Sequence, residues 1–173
     1  MQILADGDSL EPELRDLLSR RSLGEAARAA ESGKEPRFSL IVVAAKKLRL
    51  RGAQFVLVAA GPDAADDKIV ELAVSGDLAV TRDIPLAERL VEKGIQVLND
   101  RGEVYSRENV HERRSIRDRA AELRDLGLAP QSPRTKSWGE RELKLFADAF
   151  DRELTRLLAA ASPSKALRRR IKD

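Results

Sequence analysis

The chain has 173 residues and a mass of 19.2 kDa, which is enough for one buried core and short for two. With 42% hydrophobic and 35% charged residues it reads as globular with a heavily ionised surface, and a net charge of +3 leans only mildly toward polyanions. It has no cysteine, which excludes disulfides and thiolate metal sites; its opening MQILADGD is no export signal and no apolar run is long enough to span a membrane, so a cytoplasmic protein is expected.

The first apolar run, QILA at 2–5, ends in Asp6-Gly7-Asp8-Ser9. A helical pattern follows, with Leu10, Leu14, Leu17 and Leu18 on one face, Ser9 placed as its cap and Pro12 in its first turn. Ser22 and Glu25 have capping-box spacing and are expected to start a second helix running to about Ser32, before the polar loop SGKEPR. FSLIVVAA (38–45) and QFVLVAA (54–60) are apolar on both faces, as suits strands inside a helix-covered parallel sheet, and the basic connection KKLRLRG joins them. DAADDKIVELAVSG (63–76) reads as a helix ending at Gly76, LAVT as a strand, IPLAERLVEKG as a helix closed by Gly94, and IQVL as a strand. This alternation predicts a doubly wound α/β domain, because parallel neighbours need crossover connections.

Beyond Leu98, NDRGEVYS reads as a turn or short hairpin and RENVHERRSIRDRAAELRDLG as a long basic amphipathic helix ended by Gly127. APQSPRTKS is a linker, after which Ser137 and Glu140 form a capping box for a helix with Leu143, Phe146, Phe150, Leu154 and Leu157 on one stripe. That stripe is expected to pack on the body, giving one domain over 1–161 and a charged, flexible tail over 162–173.

Carboxylates gather where strands give way to helices. Asp6 and Asp8 follow the first strand, Asp63, Asp66 and Asp67 open the helix after QFVLVAA, and Asp83 follows LAVT. In an open α/β sheet these connections share one edge, where ligands bind. Crowded carboxylates repel one another, and a hard divalent cation, Mg2+ or Mn2+, relieves the repulsion. Such a site suits metal-assisted hydrolysis of a phosphodiester. The competing reading makes each acid an ordinary helix cap; it fits Asp63, Asp66 and Asp67 better than Asp6 and Asp83, each of which directly follows an apolar strand.

The run GPDAADDKIVELAVSGDLAVTRDIPLAERLVEKGIQVLNDRGEVYS, with the opening ILADGDS and the later ENVHERRSIRD, resembles the YaiI/YqxD family of bacterial proteins. The resemblance covers most of the chain and rests on D-x-D after the first strand, D-x-x-D before a helix, and G-D-L-x-x-T-x-D-I-P-L-A. That family is itself similar to PIN-like nucleases, which implies a three-layer α/β/α domain with a mostly parallel sheet, here with a C-terminal helical extension. It also implies catalytic, metal-binding roles for Asp6 and Asp83, with Asp66 as the helix-borne acid and Asp8 and Asp63 on further motif positions. The chain departs from the family pattern in its opening, DGDSLEP in place of D-A-D-A-C-P, and in an apparent insertion at 22–33. It also lacks a clear counterpart of the additional acid that many active PIN nucleases carry.

Basic groups bear on the substrate. Lys46, Lys47, Arg49 and Arg51 occupy one loop, Arg113, Arg114, Arg117 and Arg119 one helix, and Arg168, Arg169 and Arg170 the tail. If loop and helix flank the acidic crevice they grip a phosphate backbone, RNA rather than DNA; otherwise they are a solvated face of ion pairs. An aromatic content of 3% leaves no stacking platform, and His111, in a polar helix, is given no catalytic part. Two other readings stand beside the nuclease: a non-catalytic nucleic-acid-binding module, and a haloacid-dehalogenase-type phosphatase. The second is disfavoured because Gly76-Asp77 precedes its strand and lies on the opposite edge; phosphate-loop and dinucleotide motifs do not occur.

Overall fold

The computed structural model describes residues 1–128 and 138–161. Six strands form one sheet: β1 (Gln2–Asp6), β2 (Ser39–Ala44), β3 (Gln54–Leu57), β4 (Leu78–Val80), β5 (Gln96–Leu98) and β6 (Val104–Tyr105). The sheet order is β3-β2-β1-β4-β5-β6, with every pairing parallel except β5 with β6. Five helices cover it: α1 (Pro12–Glu31), α2 (Ala64–Leu72), α3 (Ile84–Glu92), α4 (Arg107–Asp125) and α5 (Glu140–Ala161).

Successive side chains on a strand point to opposite faces, so each central strand feeds two cores. Ile3, Ala5, Leu40, Val42, Leu78, Val80 and Leu98 face α1 and α5, where they meet Leu14, Leu18, Phe146 and Phe150. Leu4, Ile41, Val43, Ala79 and Val97 face the other way, against Ile69, Leu86, Leu90 and Val110 of α2, α3 and α4. The result is a three-layer α/β/α arrangement; of the α5 stripe, Phe146, Phe150 and Leu154 lie within the first core and Leu157 packs against it, while Leu143 lines a surface groove instead. Among the described residues no helix is long and apolar enough to cross a membrane.

Several expectations are corrected. The Ser22-Glu25 box starts no second helix: α1 runs unbroken from Pro12 to Glu31, with both residues buried. Glu25 instead binds Arg37, at 2.9 Å to Nε and 2.8 Å to Nη2. Ser9 does not cap α1; the N-cap position is Glu11, and Pro12 opens the helix as expected. β3 is a half-exposed edge strand rather than an interior one, because among the described residues only β2 pairs with it. Helix α2 stops at Leu72, four residues short of Gly76; Ala73 is extended, and Asp77 Oδ2 accepts from Val74 N–H at 3.1 Å to close the turn. Ser137 and Arg168 to Arg170 lie outside the described residues.

Candidate functional site

The strand order reverses between β1 and β4, and the crevice beyond the carboxyl ends of strands at such a switch point is where open α/β sheets bind ligands. A cleft of about 310 Å³ opens there. Its walls carry Asp6, Asp8, Asp63, Asp66 and Asp83, with Ser9 and Ala45 between them. All five acids singled out in the sequence therefore meet at one place, delivered by three separate connections.

Each acid is held differently. Asp6 ends β1 almost fully buried, at 4% exposure. Its Oδ1 accepts from the Asp8 and Ser9 N–H groups at 3.3 Å each, and its Oδ2 accepts from the Thr81 hydroxyl at 2.9 Å. The same Thr81 oxygen accepts from Asp83 N–H at 3.0 Å, so one hydroxyl ties the two strand-ending acids together. Asp83 caps α3, its Oδ1 accepting from Leu86 N–H at 2.9 Å, while its other oxygen makes no protein hydrogen bond among those described. Asp8 is exposed, and its Oδ2 accepts from Ala45 N–H at 2.6 Å, tying the β1–α1 loop to the end of β2.

Asp63 holds the N-cap position of α2 but caps nothing with its side chain. Its φ of 58° is left-handed, a conformation a residue with a β-carbon adopts at a cost of order 1 kcal/mol. Asp66, on the first turn of α2, has its carboxyl pushed up to about 6. Burial is the main cause, followed by the nearby charges of Asp83, Asp6 and Asp63, which outweigh Arg89. Asp67, one residue on, points away and pairs with Arg89 at 2.7 Å.

Sequence reasoning passed over the residue that organises the mouth. Arg82 donates from its backbone to Ser9 Oγ at 3.3 Å and from its guanidinium to Glu11 at 2.8 Å, and its Nε lies 3.4 Å from Asp100. It links the loops after β1, β4 and β5. The T-x-D element contained the signal, but the partners come from elsewhere in the chain.

The basic groups divide. Lys46, Lys47, Arg49 and Arg51 are exposed on the connection that begins at Ala45, beside the cleft. The helix-borne cations are not at the cleft, because α4 packs on α3 rather than along the carboxyl edge. They are also engaged: Arg113 with Glu103 at 2.6 Å and over the Tyr105 ring, Arg114 with Glu88 and Asp118, and Arg117 with Asp118 at 3.9 Å.

Within the described residues, the set of three potential ligands whose donor atoms all lie within 4.8 Å of one another is Glu88, Glu92 and His111, away from the cleft. There His111 Nδ1 meets Glu88 at 2.8 Å and Arg114 takes the second Glu88 oxygen, so both oxygens of that carboxylate already have a partner. Only the spacing of Glu88 and Glu92 was legible in sequence; the approach of His111 from α4 was not. A larger cleft of about 660 Å³ lies between α1 and α5, but Asp151 neutralises its Arg21 and Glu25 its Arg28 and Arg37. Asp77, the acid of the phosphatase reading, sits at the opposite edge of the sheet, occupied by the Gln2 and Val74 N–H groups.

The chain has relatives among known proteins. The chain is 42% identical over 161 residues to a UPF0178 protein of Myxococcus xanthus, covering 91% of this chain and 97% of the relative. It is 39% identical over 169 residues to one of Treponema pallidum, covering 96% and 88%. With one of Desulfotalea psychrophila it shares 48% identity over 120 residues, covering 68% and 80%. No solved structure matches it. The model of the uncharacterised YaiI/YqxD family matches residues 25–156, and the chain belongs to that family.

Proposed function

We propose that the protein is a metal-dependent nuclease of the PIN-like kind, hydrolysing phosphodiesters in RNA at the cleft beyond β1 and β4. The observation that carries the reading is the convergence of Asp6, Asp8, Asp63, Asp66 and Asp83 on one cleft. Excess negative charge there is what raises the Asp66 carboxyl after burial has done so, and a donor set of carboxylate oxygens suits Mg2+ or Mn2+. When bound, such an ion activates water and stabilises the departing oxygen. Asp6 and Asp83 would hold it, Thr81 fixing their relative placement, with Asp66 supplying a further oxygen once deprotonated. Asp8 and Asp63 flank these three and add charge.

The test is Asp83→Asn. Asparagine caps helices as well as aspartate, so the fold is expected to hold while the charge is removed. Cleavage of single-stranded RNA in Mg2+ or Mn2+ is expected from the native chain and to fall by about 10²-fold or more in the variant. RNA binding without product in either metal would instead favour the non-catalytic module.

A further inference from the structure

We propose that the segment Lys46–Arg51 is the backbone-binding track for the nucleic acid: a single strand leaves the cleft along this connection, not along α4. The nuclease reading supplies only the identity of the polyanion; the track rests on different residues.

The segment begins at the cleft, since Ala45 lines it and donates its N–H to Asp8. From there its side chains alternate. Leu48 and Leu50 pack against the core shared with α1 and α5, while Lys47, Arg49 and Arg51 stay exposed. The alternation of exposed and part-buried positions puts the three cations on the solvent side of the connection, two residues apart, up to the bend at Arg51. One cation per two residues is a spacing on the scale of one nucleotide in a stretched strand.

The track is anchored at both ends. A β-carbon on Gly7 would come within 2.8 Å of Leu48, so the acid-bearing loop closes directly on it. Gly52, at φ 70°, turns the chain where a side chain would strike Leu23 of α1 at 2.4 Å. These contacts fix the backbone that carries the cations, so binding has only their side chains left to order. None of Lys46, Lys47, Arg49 and Arg51 makes an ion pair with a described residue, whereas Arg113, Arg114 and Arg117 all do. The groove of about 500 Å³ beside Arg49 and Arg51 is lined as well by Glu13, Asp16 and Arg20, so three cations face two acids there. A phosphate chain along the segment meets four cations unpaired among the described residues, within six positions; on α4 it must first break the pairs of Arg113, Arg114 and Arg117, which leaves Arg119 as the unpaired cation of that basic cluster.

The experiment is fluorescence anisotropy of a labelled oligouridylate with the full chain in EDTA, where hydrolysis does not intervene. The variant Lys47→Gln/Arg49→Gln/Arg51→Gln is compared with Arg113→Gln/Arg117→Gln, and circular dichroism verifies both folds. The track variant is expected to bind about 10-fold more weakly or worse, with the slope of log K against log salt reduced by about 2. The helix variant is expected to stay within about two-fold of the native chain. Equal binding by the track variant, an equal loss in the helix variant, or no binding by the native chain would overturn the proposal. Track-dependent binding without cleavage in metal would sink the nuclease reading and leave the track; cleavage with an unchanged KM in the track variant would do the reverse.

Discussion

At the scale of single residues, Asp66 is where geometry becomes a measurable quantity. Its folded carboxyl titrates at about 6 against an ordinary 3.8, so between those values the folded chain holds a proton that the unfolded chain has released. Stability then falls as pH rises through that window. The full shift corresponds to about 3 kcal/mol, but solvent screening of this half-buried group reduces the expected effect to about 1 kcal/mol. Glu25, held at about 2 chiefly by its hydrogen bond to Arg37, acts in the opposite sense, so the useful readout is a difference between proteins. Thermal melts of Asp66→Asn against the native chain are expected to coincide near pH 4 and to separate by pH 7, the variant being the more stable. Coincidence at both pH values would show that neither burial nor the neighbouring acids raise this carboxyl. The acids themselves were legible because strand ends and helix starts can be read locally. Thr81 and Arg82 were not, because the partners that tie them to the β1–α1 loop, Asp6, Ser9 and Glu11, lie 71 to 75 residues away.

Among the elements, what could be read from sequence follows the range of the interaction. The α3 stretch has a proline at its start, a capping acid and a glycine beyond its end, all local, and it was read closely. The break placed at Ser22 failed because a capping box is only potential until the backbone bends; burial of Ser22 and Glu25 against the body kept α1 straight. Edge position misled the reading of β3, since an apolar run says nothing about how many neighbours a strand acquires. Helix α5 docks onto the β5–β6 turn at Gly102, whose φ is 80° and whose absent side chain would lie 2.7 Å from the Leu145 carbonyl. Gly102→Ala is expected to cost about 1–3 kcal/mol, from left-handed strain plus a clash with backbone, read as a lower urea midpoint. An unchanged midpoint would mean that α5 moves aside freely.

For the whole molecule, the question is whether α5 is an appendage or part of the load-carrying core. Phe146 and Phe150 are fully buried and stacked with centroids 5.7 Å apart, inside the cluster that includes the central strands. Phe150→Ala is expected to lower stability by about 3–5 kcal/mol while denaturation stays a single transition monitored at the sheet. Separate transitions for α5 and the sheet would contradict a shared core. The two faces of the sheet were readable from the doubled apolar character of FSLIVVAA, the run that becomes β2, but which helix covers which face was not, because with crossovers of one hand that depends on the strand order. The unequal borders of the sheet have a further consequence. Among the described residues, strand β3 leaves four residues of ladder unpaired on one side, while β6 closes the other with only two, running antiparallel. Joining of two copies border to border through β3 would be self-complementary and would exhaust itself at a pair, since the opposite border is too short to propagate a fibre.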